Sequence, residues 1–361
     1  MYELSLRKPD GRELTLYSRK PITGVSAAPS PFSEPLTGKP HMRWHPLRNE
    51  WVTYAAYRQD RTFLPPPEYN PFAVTVSSDN FTELPRGDWD IAVFDNRFPA
   101  LDLNASEAPA LPVPSRPATG KCEVVVFTQQ PSSSLAALPL DHIQLLLEVW
   151  AARTHTLGAL PEIRYVLPFE NRGAEVGVTL HHPHGQIYAY PVVPPVPQRM
   201  QEAAAAHYAS HGRGVLAELI QAEMREGVRI IYQGDSAIAF VPVCARYPYE
   251  VWVAPIEPVQ TFAELRTEQR IDLARALKTV LLKYDALWDR PFPYLMAWYQ
   301  APTDGAQHPE SHLHAEFYPP YRTPGKLKYL AGTELAAGLF AMDALPEDKA
   351  RELQQVRVNL G

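Results

Sequence analysis

The sequence predicts an α+β fold built from two copies of one unit, with a mostly antiparallel sheet and helices packed on one side of it. The main observation is an internal repeat, because four segments recur in the same order 127 to 130 residues apart. The composition agrees with a globular chain of this size, since 361 residues with 45% hydrophobic and 20% charged side chains can bury an extensive core. The 38 prolines, about twice the usual usage of roughly 5%, cluster between the patterned segments.

The first copy has the order strand, helix, strand, strand. Residues 123–127 form an apolar run that predicts a buried strand. From Asp141 onward, apolar side chains at spacings of three and four predict a helix that extends past Trp150. Residues 163–167 predict a second strand, and residues 182–188 a third.

The second copy repeats this order. Residues 250–253 predict a strand, and residues 267–288 carry apolar side chains along one face of a predicted helix. Residues 292–298 and 312–318 predict the two remaining strands. Four segments in register indicate a duplication.

The repeat divides the chain into an N-terminal half, residues 1–195, and a C-terminal half, residues 196–361. Residues 198–226, rich in Ala and Glu, predict one or two helices that cross between the halves, with a break near the glycines at 212–214. Proline fixes φ and lacks an N–H group, so the proline clusters predict connections. We interpret them as an arm, a surface loop and a linker between the halves: residues 21–40, 108–117 and 191–197.

Several functional classes are excluded by the composition. Two cysteines cannot form a disulfide framework and favour a reducing compartment. The first eight residues alternate between charged and apolar, unlike a signal peptide, and no long uncharged apolar stretch predicts a membrane span. A net charge of −6 without basic runs argues against nucleic-acid binding. We therefore expect a cytoplasmic protein.

A histidine motif stands at residues 182–186, with the sequence H-P-H-G-Q. On a strand, His182 and His184 would point to the same face. Residues 169–179 form a loop with several glycines, whose backbone N–H groups could hold phosphate oxygens. A phosphate site next to an imidazole indicates phosphoryl or nucleotidyl transfer.

The chemistry of imidazole suits this reaction. Its reference pKa of about 6.5 leaves the neutral ring well populated at neutral pH, so it can attack phosphorus without first losing a proton. We expect a backbone carbonyl to hold the Nδ1–H of His184 and direct Nε2 at phosphorus, while the Gln186 amide donates to a phosphate oxygen. A structural histidine and a metal-binding pair are the alternatives. The spacing of Asn171, Gly177 and Gln186 around the histidines favours the catalytic interpretation.

The segment from Phe169 to Gln186 resembles the histidine-triad superfamily and, more narrowly, the galactose-1-phosphate uridylyltransferase family. The resemblance extends from about Arg43 to Leu353. It implies duplicated histidine-triad-like units and transfer of a uridylyl group between UDP-glucose and a hexose 1-phosphate, through a uridylyl-histidine, in galactose metabolism. It also implies a homodimer.

The resemblance implies a role for particular residues of this chain. His184 matches the nucleophile, and Gln186 matches the residue that binds the phosphate beside it. The implied nucleotide and phosphate contacts are Arg58, Arg61, Asn96, Asn171, Gly177 and Thr179. The implied sugar contacts are Lys328, Tyr329 and Glu334.

Departures from the family pattern concern metals. The family holds zinc with a C-x-x-C pair, a histidine and the first histidine of H-P-H, but residues 70–74 contain no cysteine and His182 remains without its expected co-ligands. At the second family metal site, Tyr299 and Glu316 stand in place of histidines and His314 remains. We therefore predict no bound metal and no other cofactor.

Two other functions stay open. An adenylyltransferase or phosphorylase acting on ADP-glucose or a dinucleoside polyphosphate would use the same histidine and loop. A nucleotide-sugar-binding protein without turnover would explain the loss of metal ligands. His184 and Gln186 argue against the latter, because a binding protein needs no aligned nucleophile.

Overall fold

The computed structural model describes residues 1–35, 38–60, 69–77 and 79–360. The strands are β1 Tyr2–Arg7, β2 Glu13–Ser18, β3 His41–His45, β4 Glu50–Tyr54, β5 Ile91–Asp95, β6 Ser115–Pro117, β7 Lys121–Val126, β8 Tyr165–Arg172, β9 His184–Tyr190, β10 Ile230–Gln233, β11 Ala237–Phe240, β12 Val251–Pro255, β13 Tyr294–Tyr299, β14 His314–Tyr318, β15 Tyr321–Thr323 and β16 Lys326–Leu327. The helices are α1 Leu140–Gly158, α2 Pro195–His211, α3 Val215–Glu226, α4 Thr267–Leu287 and α5 Pro346–Gln355. Short 3₁₀ turns include Leu135–Ala137, Ala174–Val176 and Phe262–Glu264, and a π-helical turn covers Gly332–Ala337.

One antiparallel sheet contains both repeats. Its order is β1-β2-β5-β7-β9-β8-β13-β14-β12-β11-β10. The first unit contributes the strands β7-β9-β8, and the second contributes β13-β14-β12. Corresponding strands of the two units are therefore arranged symmetrically about the β8–β13 pair, where the units meet. The α+β class with a mainly antiparallel sheet is thus confirmed. The two halves share one continuous sheet.

Helices α1 and α4 cover one face of the sheet. Each shows the apolar side that its sequence predicts, and both contribute to a single core with alternate residues of the strands. At the centre of this core Trp150 from the first unit contacts Phe262 and Trp298 from the second, with ring centroids 5.7 and 5.8 Å apart. Burying each such side chain stabilises the fold by about 1.5–3 kcal/mol, so the two units stabilise each other.

The crossing segment forms α2 and α3. The break falls at Gly212, which ends α2 in the left-handed conformation, φ 68°. Helix α3 packs Leu216 and Ile220 against the sheet face opposite α1 and α4. Among the described residues, no helix combines the length and apolarity needed to cross a bilayer.

The proline clusters contain more regular structure than predicted. Residues 191–197 are not wholly a linker, because α2 begins at Pro195 and the first turn of a helix tolerates proline. Residues 108–117 end in β6, an edge strand of the small sheet β4-β3-β6, where a missing N–H group is tolerated. The arm at residues 21–40 has no helix or strand in its described part.

The sequence analysis did not predict the N-terminal hairpin β1–β2, which extends the large sheet beyond β5. In the turn between these two strands, Lys8 donates to the Glu83 carboxylate at 2.8 Å. Arg12 donates to the same oxygen at 2.8 Å and to Asp10 at 2.7 Å. Burial is the largest influence on Lys8 and lowers its pKa. Buried charges of this kind need partners, and the network supplies them.

Candidate active site

Strand β9 places His184 and Gln186 side by side on one face of the sheet. Both are half-buried, while Gly185, Ile187 and Ala189 between and after them point toward the core under α1. The two-residue period of the strand explains this separation. The H-P-H-G-Q motif thus presents an imidazole and an amide to the same space.

The hydrogen bonds of His184 define its tautomer. Its Nδ1 lies 2.8 Å from the backbone oxygen of His182. A carbonyl oxygen only accepts, so Nδ1 carries a proton, and in the neutral ring of this tautomer the lone pair is on Nε2. This matches the arrangement expected of a nucleophile. The ring also contacts Phe72 edge-on, with centroids 4.9 Å apart.

His182 is held by two hydrogen bonds and does not fit a zinc ligand. Its Nε2 donates to the Thr128 carbonyl at 2.7 Å, and its Nδ1 accepts from the Asn70 amide at 2.9 Å. The Asn70 oxygen accepts from the Phe72 N–H at 3.0 Å, which fixes the amide orientation. Burial lowers the pKa of His182 and keeps it neutral. Both ring nitrogens are thus occupied by protein groups, and in the described part of the chain no three potential ligands cluster as a metal site.

A cavity of about 480 Å³ opens beside His184. This volume suits a nucleotide-sized ligand. Five of the other predicted site residues line it together with His184: Asn96, Asn171, Gly177, Thr179 and Gln186. Much of the remaining wall is aromatic: Phe32, Tyr69, Phe72, Phe94 and Phe98. A lining that combines aromatic rings with amide side chains suits a ligand with a flat base and phosphates.

Asn96 orients Gln186. The Asn96 Nδ2 donates to Gln186 Oε1 at 3.4 Å, and the Asn96 oxygen accepts from the Phe98 N–H at 2.9 Å. With its oxygen turned toward Asn96, Gln186 keeps Nε2 as the donor for a ligand. This matches the phosphate-binding role expected of Gln186.

Residues 173–179 form a loop, here called the phosphate loop, whose residues 177–179 line the cavity. Gly173 and Gly177 adopt positive φ angles of 98° and 81°, which glycine tolerates best. Asn171, directly before the loop, has a buried Oδ1 with no hydrogen-bond partner among the described residues. A buried polar atom in a cavity wall is costly unless a ligand satisfies it.

The predicted site residues Arg58, Lys328, Tyr329 and Glu334 do not line this cavity. Arg58 donates to the Phe98 carbonyl at 2.9 Å and is not among the described residues that line the cavity. Arg61 lies outside the described residues. Lys328 and Glu334 pair with each other at 3.6 Å, and Tyr329 is 72% exposed. These three residues do not line the cavity of their own chain.

The second unit repeats the histidine geometry without an open site. His314 Nδ1 donates to the His312 carbonyl at 2.7 Å, as His184 does to His182. However, His314 is only 9% exposed and packs between Trp252 and Tyr299. The nucleophile is therefore expected in the first unit.

The sequence analysis missed most of the aromatic wall and the role of Asn70. Phe32 lies in the proline-rich arm, where no periodic pattern marks it. For Tyr69 and Phe72, the sequence analysis predicted no helix or strand that would place them near His184. The one available signal was the pair of phenylalanines, Phe94 and Phe98, on either side of the predicted contact Asn96.

Glu170 gives stability a pH dependence. It accepts from Tyr294 Oη at 2.9 Å, and burial raises its pKa from 4.5 to about 7. The folded protein therefore keeps a proton that the unfolded chain releases, so the free energy of unfolding falls as pH rises from about 4.5 to about 7. We expect Glu170→Gln to reduce the fall in unfolding free energy over this pH range by roughly 3 kcal/mol. Urea unfolding at a pH below this range and at a pH above it measures the difference. The control Glu162→Gln, at an exposed position, should show the same dependence of the unfolding free energy on pH as the wild type. If Glu170→Gln also showed the wild-type dependence, Glu170 would not be its source.

An imidazole beside amide side chains, a glycine loop and a nucleotide-sized cavity fits the class of nucleotidyltransferases. Residues 32–194 match the family model for the N-terminal domain of galactose-1-phosphate uridyl transferase, and residues 201–359 match that for its C-terminal domain. The chain belongs to the galactose-1-phosphate uridylyltransferase family.

Individual relatives agree with this assignment. The galactose-1-phosphate uridylyltransferase of Thermotoga maritima is 36% identical over 326 residues, 88% of this chain and 99% of the relative. A solved uridylyltransferase structure is 34% identical with a TM-score of 0.78, covering 87% of this chain and 97% of that one. An ADP-glucose phosphorylase from Arabidopsis thaliana shares the fold at 23% identity, with a TM-score of 0.67, covering 88% of this chain and 100% of that one.

Proposed function

We propose that the chain is a UDP-glucose–hexose-1-phosphate uridylyltransferase that acts by a ping-pong mechanism through uridylyl-His184. The observation that carries the proposal is the Nδ1–H hydrogen bond to the His182 carbonyl, in a cavity that His184 shares with Gln186 and the phosphate loop. The similarity to uridylyltransferases over most of the chain supports the choice of substrates.

In the first half-reaction, His184 Nε2 attacks the α-phosphorus of UDP-glucose. A nitrogen–phosphorus bond forms, and the bond from phosphorus to the bridging oxygen of glucose 1-phosphate breaks. The leaving group departs as a phosphate monoester with a second pKa near 6, so it needs little acid catalysis. The carbonyl of His182 stabilises the positive charge on the ring, and Gln186 Nε2 is placed to donate to an equatorial oxygen.

In the second half-reaction, a phosphate oxygen of galactose 1-phosphate attacks the uridylyl phosphorus. The nitrogen–phosphorus bond breaks, UDP-galactose forms, and His184 regains its lone pair. Because the two displacements are chemically similar, one phosphate site serves both.

Mass spectrometry after brief incubation with UDP-glucose or ADP-glucose tests the proposal. We expect one uridylyl group on the peptide that contains His184 and release of glucose 1-phosphate. An adenylyl group formed preferentially from ADP-glucose would instead establish the adenylyltransferase or phosphorylase alternative. Binding of the nucleotide sugar without a covalent adduct would establish a binding protein.

A second copy of the chain is proposed to complete the sugar site. The support is that Lys328, Tyr329 and Glu334 lie away from the cavity, in a segment that exposes Leu335 and Leu339. Mixing the inactive variants His184→Ala and Glu334→Ala tests this, because heterodimers would regain one complete site. Mixtures with no regained activity would count against a shared site.

We propose that the enzyme works without a metal or other cofactor, because both nitrogens of His182 are hydrogen-bonded to protein. Dialysis against a chelator is expected to leave the rate of His184 labelling and the melting temperature unchanged. Loss of either, restored by adding zinc, would overturn the proposal. A reducing, cytoplasmic location is also proposed, supported by two cysteines that remain unpaired.

A further inference from the structure

The phosphate loop belongs to the first unit, but a residue of the second unit holds it. Tyr321 Oη in β15 donates to Glu175 Oε1 at 2.7 Å. We infer that Tyr321 is a positioning residue for uridylyl transfer, because this hydrogen bond sets the distance between the phosphate loop and His184. The inference rests on the proposed function and adds a role for the second unit in catalysis.

Tyr321 is itself rigid. Its side chain is 6% exposed and packs edge-on against Trp288, with centroids 5.5 Å apart. The Arg290 guanidinium lies over the Tyr321 ring at 4.7 Å, and its Nη2 is 3.9 Å from Glu175 Oε1. A hydroxyl fixed by packing loses little entropy when it forms a hydrogen bond, so it makes an effective attachment point.

The phosphate loop depends on such an attachment. The turn Ala174–Val176 buries none of its residues, so apolar packing does not fix it. Its internal hydrogen bonds, Val176 N–H to Gly173 and Gly177 N–H to Ala174, shape the turn without tying it to β9. Residues 177–180 nevertheless form the cavity wall beside His184. Movement of the turn would therefore move that wall.

A different contact holds the N-terminal end of the phosphate loop. Arg172 donates to both carboxylate oxygens of Asp285, at 2.7 and 3.0 Å. Gly173 lies so close to β13 that a Cβ there would be 2.6 Å from Pro293 Cβ. With this end fixed at Arg172, Glu175 is a second point of attachment. Loss of the Tyr321 hydroxyl would leave the turn at residues 174–176 held only through its two ends, at Arg172 and at the segment from Leu180 to His182.

Single-turnover labelling of His184 by UDP-glucose measures this role. The rate constant reports positioning, whereas the amplitude counts folded sites. We expect Tyr321→Phe to lower the rate constant about tenfold with unchanged amplitude, because misplacement of a binding group slows chemistry. We expect the KM for UDP-glucose to change by less than about threefold, because the aromatic wall still binds the nucleoside. The control is Tyr249→Phe, which removes a buried hydroxyl bonded to Glu352 Oε2 at 2.6 Å and should leave the rate constant unchanged.

A double-mutant cycle separates the hydrogen bond from general damage. Glu175→Ala should match Tyr321→Phe, and the double variant should be no slower than either, because both remove one interaction. Glu175→Gln keeps an acceptor oxygen and should stay within about threefold of wild type, since the partly exposed contact with Arg290 contributes little.

A wild-type rate constant in Tyr321→Phe, or additive losses in the double variant, would overturn the inference while leaving the proposed function intact. If the wild type is not labelled by UDP-glucose, the proposed function fails, and hydrogen exchange then decides the positioning role. Faster exchange of the amides at residues 176–179 in Tyr321→Phe, but not in Tyr249→Phe, would support it. Equal exchange in the two variants would refute it.

Discussion

Replacing His184 with alanine is expected to abolish uridylyl transfer and covalent labelling while the fold is retained. The imidazole supplies the atom that bonds to phosphorus, and neither His182 nor Gln186 can substitute for it. His182 uses both ring nitrogens in hydrogen bonds, and an amide nitrogen is not nucleophilic. Loss of a covalent nucleophile lowers kcat by about 10⁴-fold or more in enzymes of known mechanism. Because His184 is only half-buried, the effect on stability should be small.

The matched control is His181→Ala. His181 is exposed and three residues earlier in the chain, so its replacement should leave labelling and melting temperature unchanged. Radiolabelled UDP-glucose and circular dichroism measure the two properties. If His184→Ala were labelled to the wild-type level, another residue would be the nucleophile.

Replacing Gly185 with alanine is expected to have the second largest effect. A Cβ at this position would lie 2.7 Å from the Phe169 carbonyl oxygen and 2.8 Å from the Phe127 ring. Strand β9 would have to move away from β8 or from the core, and the residues on either side are His184 and Gln186. Overpacking of this kind costs about 1–3 kcal/mol in stability. A displacement of the nucleophile by a fraction of an ångström to 1 Å can lower the rate about 10²-fold.

The rate constant for His184 labelling, together with urea unfolding, measures these effects. Gly212→Ala provides the control, because its positive φ makes alanine unfavourable there while nothing lies within 4 Å of the added Cβ. It should lose some stability and keep its labelling rate. An unchanged labelling rate in Gly185→Ala would show that β9 tolerates the displacement.

The repeat, the helices that cover the sheet and the strand that contains His184 were predictable from the amino-acid sequence. These features depend on periodic patterns within short segments, such as the apolar spacing of α1 and α4. The strand predicted at residues 182–188 forms as β9, but it begins at His184, so His182 precedes the strand. Local patterns of this kind are set by the geometry of helices and strands. The same reasoning placed the break between α2 and α3 near Gly212.

Tertiary structure alone decided which side chains surround His184. Phe32 and Tyr69 come from segments without periodic structure, Asn70 takes a nitrogen of His182, and Tyr321 reaches the phosphate loop from the other unit. Lys328 and Glu334, which the resemblance assigns to the sugar site, pair with each other and do not line the cavity of their own chain. Contacts between distant segments depend on how the two units dock, and docking results from packing summed over the whole core, which no local pattern encodes.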